Sequence, residues 1–280
     1  MRCFFALLVY VMMPVAAAAQ PVWTQAAPMD GLTVEAHKPL FTDASGVTFL
    51  TSAWLLTGQA TLHPGLRAGV EVGISHYGQQ AGEPGLLGTV ADEVRETTLS
   101  NVALFLAYDG FFPNLTVTLQ GRLPTASDRI DNVGSLAGRY ADLDRYDAFL
   151  SHTSTMSLAG DYRVALDEIF SLRGRVGTVA QFTGERSTNA PARSDVVLRY
   201  AVQGWYEDAD FRVGVGAVGI SNLTGEFAGF VERSQVMLSA AVVAKAGGVE
   251  PGLAVKVPMT DELGTAMDAA VTVSLAVPLR

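Results

Sequence analysis

Cysteine is nearly absent from this chain of 280 residues: Cys3 is the only one, and it lies in the first apolar stretch. A disulfide framework, a thiolate metal site and a cysteine nucleophile are excluded together. Charge is scarce as well, at 17% of residues, with 19 basic against 28 acidic side chains and a net charge of −9. That leaves no polycationic surface for nucleic acid. With 49% apolar residues and a mean hydropathy of +0.26, the chain is not a solvated, disordered polymer either. Long apolar runs are also missing. Beyond the N-terminus none reaches the roughly 18 residues of a membrane-spanning helix, so the apolar content must be housed in another way. Lysine is rare, 3 against 16 arginines, a bias that reads as genome composition or salt adaptation rather than function.

Residues 1–19 have the make-up of an export signal. Arg2 supplies the positive start, Phe4 to Val15 the apolar stretch, and Ala17-Ala18-Ala19 a small-residue cleavage site before Gln20. A retained anchor is the alternative, disfavoured because the apolar stretch is short and ends in the alanines. Residues 20–30 then read as a periplasmic lead and 31–280 as a single domain.

Within that domain alternation replaces helical periodicity. In Leu115-Thr116-Val117-Thr118-Leu119-Gln120-Gly121-Arg122-Leu123 the odd positions are apolar or Gly and the even ones polar. Residues 66–77 set Leu66, Ala68, Val70, Val72 and Ile74 against Arg67, Gly69, Glu71, Gly73 and Ser75. Similar runs cover 31–40, 46–62, 98–109, 152–165, 170–182, 194–206, 210–220, 231–245, 250–258 and 267–279, which predicts twelve strands. Five connections are tight (63–65, 110–114, 167–169, 207–210 and 246–250). The six between them are mostly longer: 41–45, 78–97, 124–151, 183–193, 221–230 and 259–266. A soluble sandwich gives no reason for short and long turns to alternate. A closed antiparallel up-and-down transmembrane β-barrel does, with short periplasmic turns, longer outer loops and an even strand number. Tyr108, Phe111, Phe112, Tyr162, Phe170, Tyr206 and Phe211 all fall beside the short turns, as an aromatic girdle at one membrane boundary requires.

With phrases such as Leu32-Thr33-Val34-Glu35 and Gln120-Gly121-Arg122-Leu123-Pro124, the chain resembles bacterial outer-membrane β-barrels of the small-molecule channel and transporter type. It is loosely similar to those grouped with phenol-degradation and hydrophobic-compound transporters. The resemblance spans the whole domain and rests on pattern. It implies an outer-membrane location, lipid around the barrel, insertion by the barrel-assembly machinery, and a small solute as cargo. Two departures stand out. The chain ends Val277-Pro278-Leu279-Arg280 where such barrels commonly end in an aromatic residue, and it lacks the long N-terminal hatch of fatty-acid transporters.

Parity sends the polar face of each strand into the bore. The candidate lining is Arg67, Glu71, Arg122, Asp161, Arg163, Arg173, Arg175, Arg199, Trp205, Arg212 and Lys256, with Glu35 also facing inward. Arg163 is expected opposite Arg173, and Asp161 opposite Arg175. Eight bases against three acids, under a net charge of −9, suggest a cationic interior with acidic loops, Asp128, Asp131, Asp142, Asp144 and Asp147 all lying in 124–151. The excess cations suit an anion-selective lining or a carboxylate or phosphate site; a rigid salt-bridge ladder is the equal alternative. Trp205 either stacks on Arg212 or fills space. Gly69, Gly73, Gly177, Gly214 and Gly216 point inward and would widen the bore, or merely kink the wall. Leu136, Tyr140, Leu143, Tyr146 and Leu150 recur at helical spacing, so 124–151 is expected to hold a short helix. A surface cap is preferred for it over a constriction.

No catalytic or metal site is expected. His63 falls in a turn, His37 and His76 stand isolated near the outer strand ends, and no HExxH pattern, carboxylate cluster or phosphate loop occurs. His152-Thr153-Ser154 could supply the base and nucleophile of a membrane-embedded lipid hydrolase, but no same-face third group is evident to orient the imidazole. The sequence thus predicts a cofactor-free twelve-stranded barrel serving as a passive channel or uptake pore for small solutes, anionic ones among them. A closed structural or adhesive barrel is the other reading.

Overall fold

A computed structural model describes residues 30–126, 133–184, 192–224 and 233–278. Twelve antiparallel strands form its wall: β1 (Gly31–Phe41), β2 (Ser52–His63), β3 (Leu66–Gln79), β4, β5 (Leu115–Arg122), β6 (Thr153–Ala165), β7 (Phe170–Thr183), β8 (Arg193–Glu207), β9 (Phe211–Asn222), β10 (Ser234–Ala244), β11 (Glu250–Pro258) and β12 (Met267–Pro278). Strand β4 comes in two pieces, Val94–Leu99 and Ala103–Phe112. Each strand pairs with its sequence neighbours, and β12 returns to β1 in a register running from Gly31↔Pro278 to Phe41↔Met267, so the sheet is closed. Closure satisfies every strand edge, the condition for a sheet surrounded by hydrocarbon.

The side chains are sorted inside out relative to a soluble protein. Leu32, Val34, Trp54, Leu56, Leu158, Val202 and Leu275 are exposed on the outer wall, while Thr33, Glu35, His37, Thr57, Gln59 and Lys256 are buried within. Period-two alternation lets one short strand meet both environments. The girdle aromatics lie on the outer face beside the short turns, with Tyr108 and Phe111 at 4.9 Å and Phe170 and Tyr206 at 5.3 Å between ring centroids.

The break in β4 interrupts this alternation. Ile74 pairs with Leu99 and Glu71 with Ala103, so Ser100–Val102 holds one residue more than the facing strand. Such a bulge reverses parity and re-aims a side chain. Asn101 is turned inward by it and is fully buried. Inward glycines serve the neighbouring strand rather than the bore, contrary to the expected widening. A Cβ on Gly69 would overlap the Phe105 ring, one on Gly73 the Leu55 side chain, and one on Gly214 would stand 2.8 Å from the Trp205 indole. Gly177 and Gly216 are closed off by Ala159 and by the backbone of β8.

The outer face makes a measurable distinction. Val202→Arg, in mid-strand β8, is expected to lower folded stability in lipid vesicles by about 2–4 kcal/mol. Denaturant titration checks this, and an unchanged midpoint would place Val202 away from hydrocarbon.

Candidate functional site in the occluded bore

The connection from β5 to β6 does not cap the barrel. It enters it. After Arg122 it builds helix α1 (Val133–Ala141), then a 3-10 turn over Leu143–Phe149, and every residue of that turn is buried. The helical spacing of the sequence is therefore split between two kinds of helix, which meet at Gly138, where a Cβ would overlap the Phe149 ring. Asp128 and Asp131 lie outside the described residues.

Apolar contact seats one side of the insert. Leu143, Tyr146 and Leu150 join Val179, Val197, Val218, Ile220, Met237, Leu263, Met267 and Ala270 in one buried cluster. Apart from Leu263, which lies in the connection before β12, the residues they join occupy inward positions on the wall, where a wet bore would call for polar side chains. Valine and isoleucine at inward parity in the outer halves of β7, β8 and β9 were thus a readable sign that something apolar lies against them. Asn101 fastens the insert from the other side. Its amide nitrogen reaches the carbonyls of Asp147, Leu150 and Thr153 at 2.7–3.2 Å, its Oδ1 accepts from Ala126 N–H, and its own N–H donates to the Ala148 carbonyl.

Charge completes the docking. Lys256 Nζ meets Asp142 at 3.0 Å, Arg175 meets Asp144 at 3.3 Å, and Arg199 meets Asp147 at 2.7 Å. Arg122 sits between Glu71 at 2.6 Å and Asp147 at 3.3 Å. In the reverse sense the insert presents Arg145 to Glu35 at 2.6 Å and Glu71 at 3.1 Å. His37, expected to be isolated, is buried in this group: its Nδ1 is 2.9 Å from Thr272 Oγ1 and its Nε2 is 3.1 Å from Arg145. Below the insert Arg173 grips both oxygens of Asp161. At the short-turn mouth Arg67 pairs with Asp109, Arg163 with Glu207, and Arg212 with Glu250.

All eleven residues of the expected lining stand on the inner wall, and the register sets Arg173 opposite Arg163 and Arg175 opposite Asp161 as foreseen. The expectation of unpaired cations is overturned. Each of the eight inward bases has a carboxylate within 3.3 Å: Asp142, Asp144 and Asp147, counted as outer-loop acids, answer Lys256, Arg175, Arg122 and Arg199, while acids beside the short turns answer Arg67, Arg163 and Arg212 and Asp161 answers Arg173. Trp205 is a filler: it packs with Ala241 and Ala254, and its indole N–H donates to Gln203 at 3.3 Å.

What remains open is a cavity of about 70 Å³ beneath the insert, room for a few water molecules. Its wall includes Arg122, Arg145, Arg173, Arg175 and Arg199 against Glu71, Asp144 and Asp161, together with Gln59, Thr118 and Gln120. No group of three or more metal-ligating side chains occurs among the described residues.

Burial pushes the Asp142 and Asp147 carboxyls up, but the cations outweigh it. Lys256 and Arg145 hold Asp142 well below the ordinary value of 3.8, and Arg199 and Arg122 hold Asp147 below it too. Carboxyls depressed in the docked state stabilise docking fully above their undocked pKa and lose that contribution as the pH falls through the docked one. Amide protection of 143–150, corrected for intrinsic exchange, should thus be flat from about pH 7 to about pH 4 and fall only below that. Loss at pH 5–7 would contradict control by the aspartates.

No protein-family model matches the chain, and no curated protein matches it in sequence. Solved structures share its fold. An outer membrane channel from Pseudomonas putida F1 is 13% identical, with a TM-score of 0.65 over 93% of this chain and all of that one. The NanC porin is 8% identical, with a TM-score of 0.52 over 89% of this chain and all of the porin. The β domain of the Bordetella autotransporter BrkA is 12% identical, with a TM-score of 0.53 over 90% of this chain and all of that domain. The chain therefore has the closed-barrel fold seen in outer-membrane channels, porins and autotransporter domains.

Proposed function

We propose that the protein is an outer-membrane channel for small solutes and that the inserted connection is its constriction. The leader over 1–19 would direct export, with cleavage before Gln20, and the barrel-assembly machinery would place the barrel in lipid. The observation that carries this reading is the polar cavity inside a barrel whose outer wall is apolar. Five guanidinium groups face three carboxylates around it, and a surplus of one sign in a low-dielectric passage selects for the other. The preference is for anions. It is weak, because most of the charge on the wall is paired.

The degree of occlusion supports a second reading, a barrel held shut by its insert. Planar-bilayer recording separates the two. A channel is expected to give small stepwise currents with reversal potentials on the anion side, and Arg173→Glu plus Arg175→Glu should move them toward cations. Asn101→Ala, which frees the Asp147 and Leu150 carbonyls of the insert and the Thr153 carbonyl at the start of β6, should raise the conductance. A silent bilayer with folded, heat-modifiable protein would favour the shut barrel, and cation preference in the wild type would refute the charge assignment.

Catalysis is no part of this reading. Ser154 pairs across the strands with Phe182, and His152 takes a left-handed backbone with φ of 53° at the outer rim. Ser154→Ala is expected to leave the esterase background of purified protein unchanged; a drop would reinstate the hydrolase.

A further inference from the structure

The wall of the cavity beneath the insert is not completed by its own side chains. Arg122 and Arg145 engage Glu71, and Arg173 takes both oxygens of Asp161. Arg175 is held more loosely. One of its nitrogens reaches Asp144 at 3.3 Å, and its side chain keeps 20% of its surface open. Arg199 holds Asp147 through Nη2, while its Nε is buried with no hydrogen-bond partner among the described residues. Gln59 lines the same cavity, is 2% exposed, and buries an amide nitrogen that also has no partner among the described residues. Thr118 and Gln120 add a hydroxyl and an amide not taken up by another side chain among the described residues.

Buried donors without acceptors are a standing cost that a ligand rich in acceptors removes. The chemistry they define is narrow. An apolar solute would leave the donors stranded, and a neutral polyol would not answer the surplus of guanidinium. A dianion would meet Asp144 beside Arg175, and a polymer would not fit under the insert. We propose that this cavity is a subsite for a small hydroxylated monocarboxylate. Its carboxylate accepts from Arg175 and Arg199, charge-assisted contacts of the stronger kind. Its hydroxyl groups meet Gln59, Thr118 and Gln120. The site rests on the channel reading above and deepens it, since the solute reaches the cavity through the bore.

Binding is read without current, by saturation-transfer NMR on folded protein in detergent. The probes are sodium lactate and sodium glycerate, with glycerol as the neutral analogue and sodium phosphate as the dianion. Saturable binding of lactate and glycerate in the millimolar range is expected, with glycerol and phosphate weaker. Arg175→Gln should weaken lactate by about tenfold, and Gln59→Leu should weaken it in a barrel that keeps all its charges. Equal binding of lactate and glycerol would overturn the site, as would an Arg175→Gln variant of native gel mobility that binds as the wild type does. Should Arg175→Gln not fold, unchanged affinity in Gln59→Leu overturns it alone. Saturable lactate binding beside a silent bilayer would remove the channel and keep the site, whereas currents without binding would remove the site and keep the channel.

Discussion

The arrangement depends on neutralising charge inside a closed wall. Strands that must be apolar outside have only their inner positions for polar side chains, and here those positions carry arginines and a lysine that cannot be left alone away from bulk water. Asp109, Glu207 and Glu250 answer the bases at the short-turn mouth and Asp161 answers Arg173, but deeper in the bore the partners come from a single connection. Asp142, Asp144 and Asp147 answer Lys256, Arg175, Arg122 and Arg199, and Arg145 answers Glu35 and Glu71. A buried pair adds little net stability over an apolar substitute, but removing one member strands the other at about 3–5 kcal/mol. The wall and the insert are thus mutually obligatory. Neither charge set suits the interior without the other.

Alternation needs no tertiary information, which is why the barrel could be read from the chain. Leu115 to Leu123 declares its two faces residue by residue, and turn length and girdle aromatics give the ends. The same parity placed Arg67, Glu71, Arg173 and Lys256 inside correctly. It gives no warning at Ser100–Val102, where one extra residue flips the faces and delivers Asn101 to the interior. A bulge leaves no mark in composition.

The site was harder to read because it is made by a long-range encounter. Counting charge by strand and loop put Asp142 and its neighbours outside, when the geometry sets Asp142 beside Lys256, 114 residues on. Val179, Val197 and Ile220 were the available sign, since inward-facing apolar side chains call for an apolar body inside the bore. His37 belongs to the same lesson. Its neighbours on β1 and β12 could be anticipated from register, but Arg145 could not.

Accessibility of the insert decides the matter most directly. In a Cys3→Ser background a single cysteine at Ala148, a position with no exposed surface, is compared with one at Gly82 in an exposed outer loop. Folded protein in vesicles should label rapidly with a membrane-impermeant maleimide at position 82 and only after denaturation at position 148. Equal labelling at both sites would mean that the connection lies outside the barrel and that the charges of the bore are neutralised by something else.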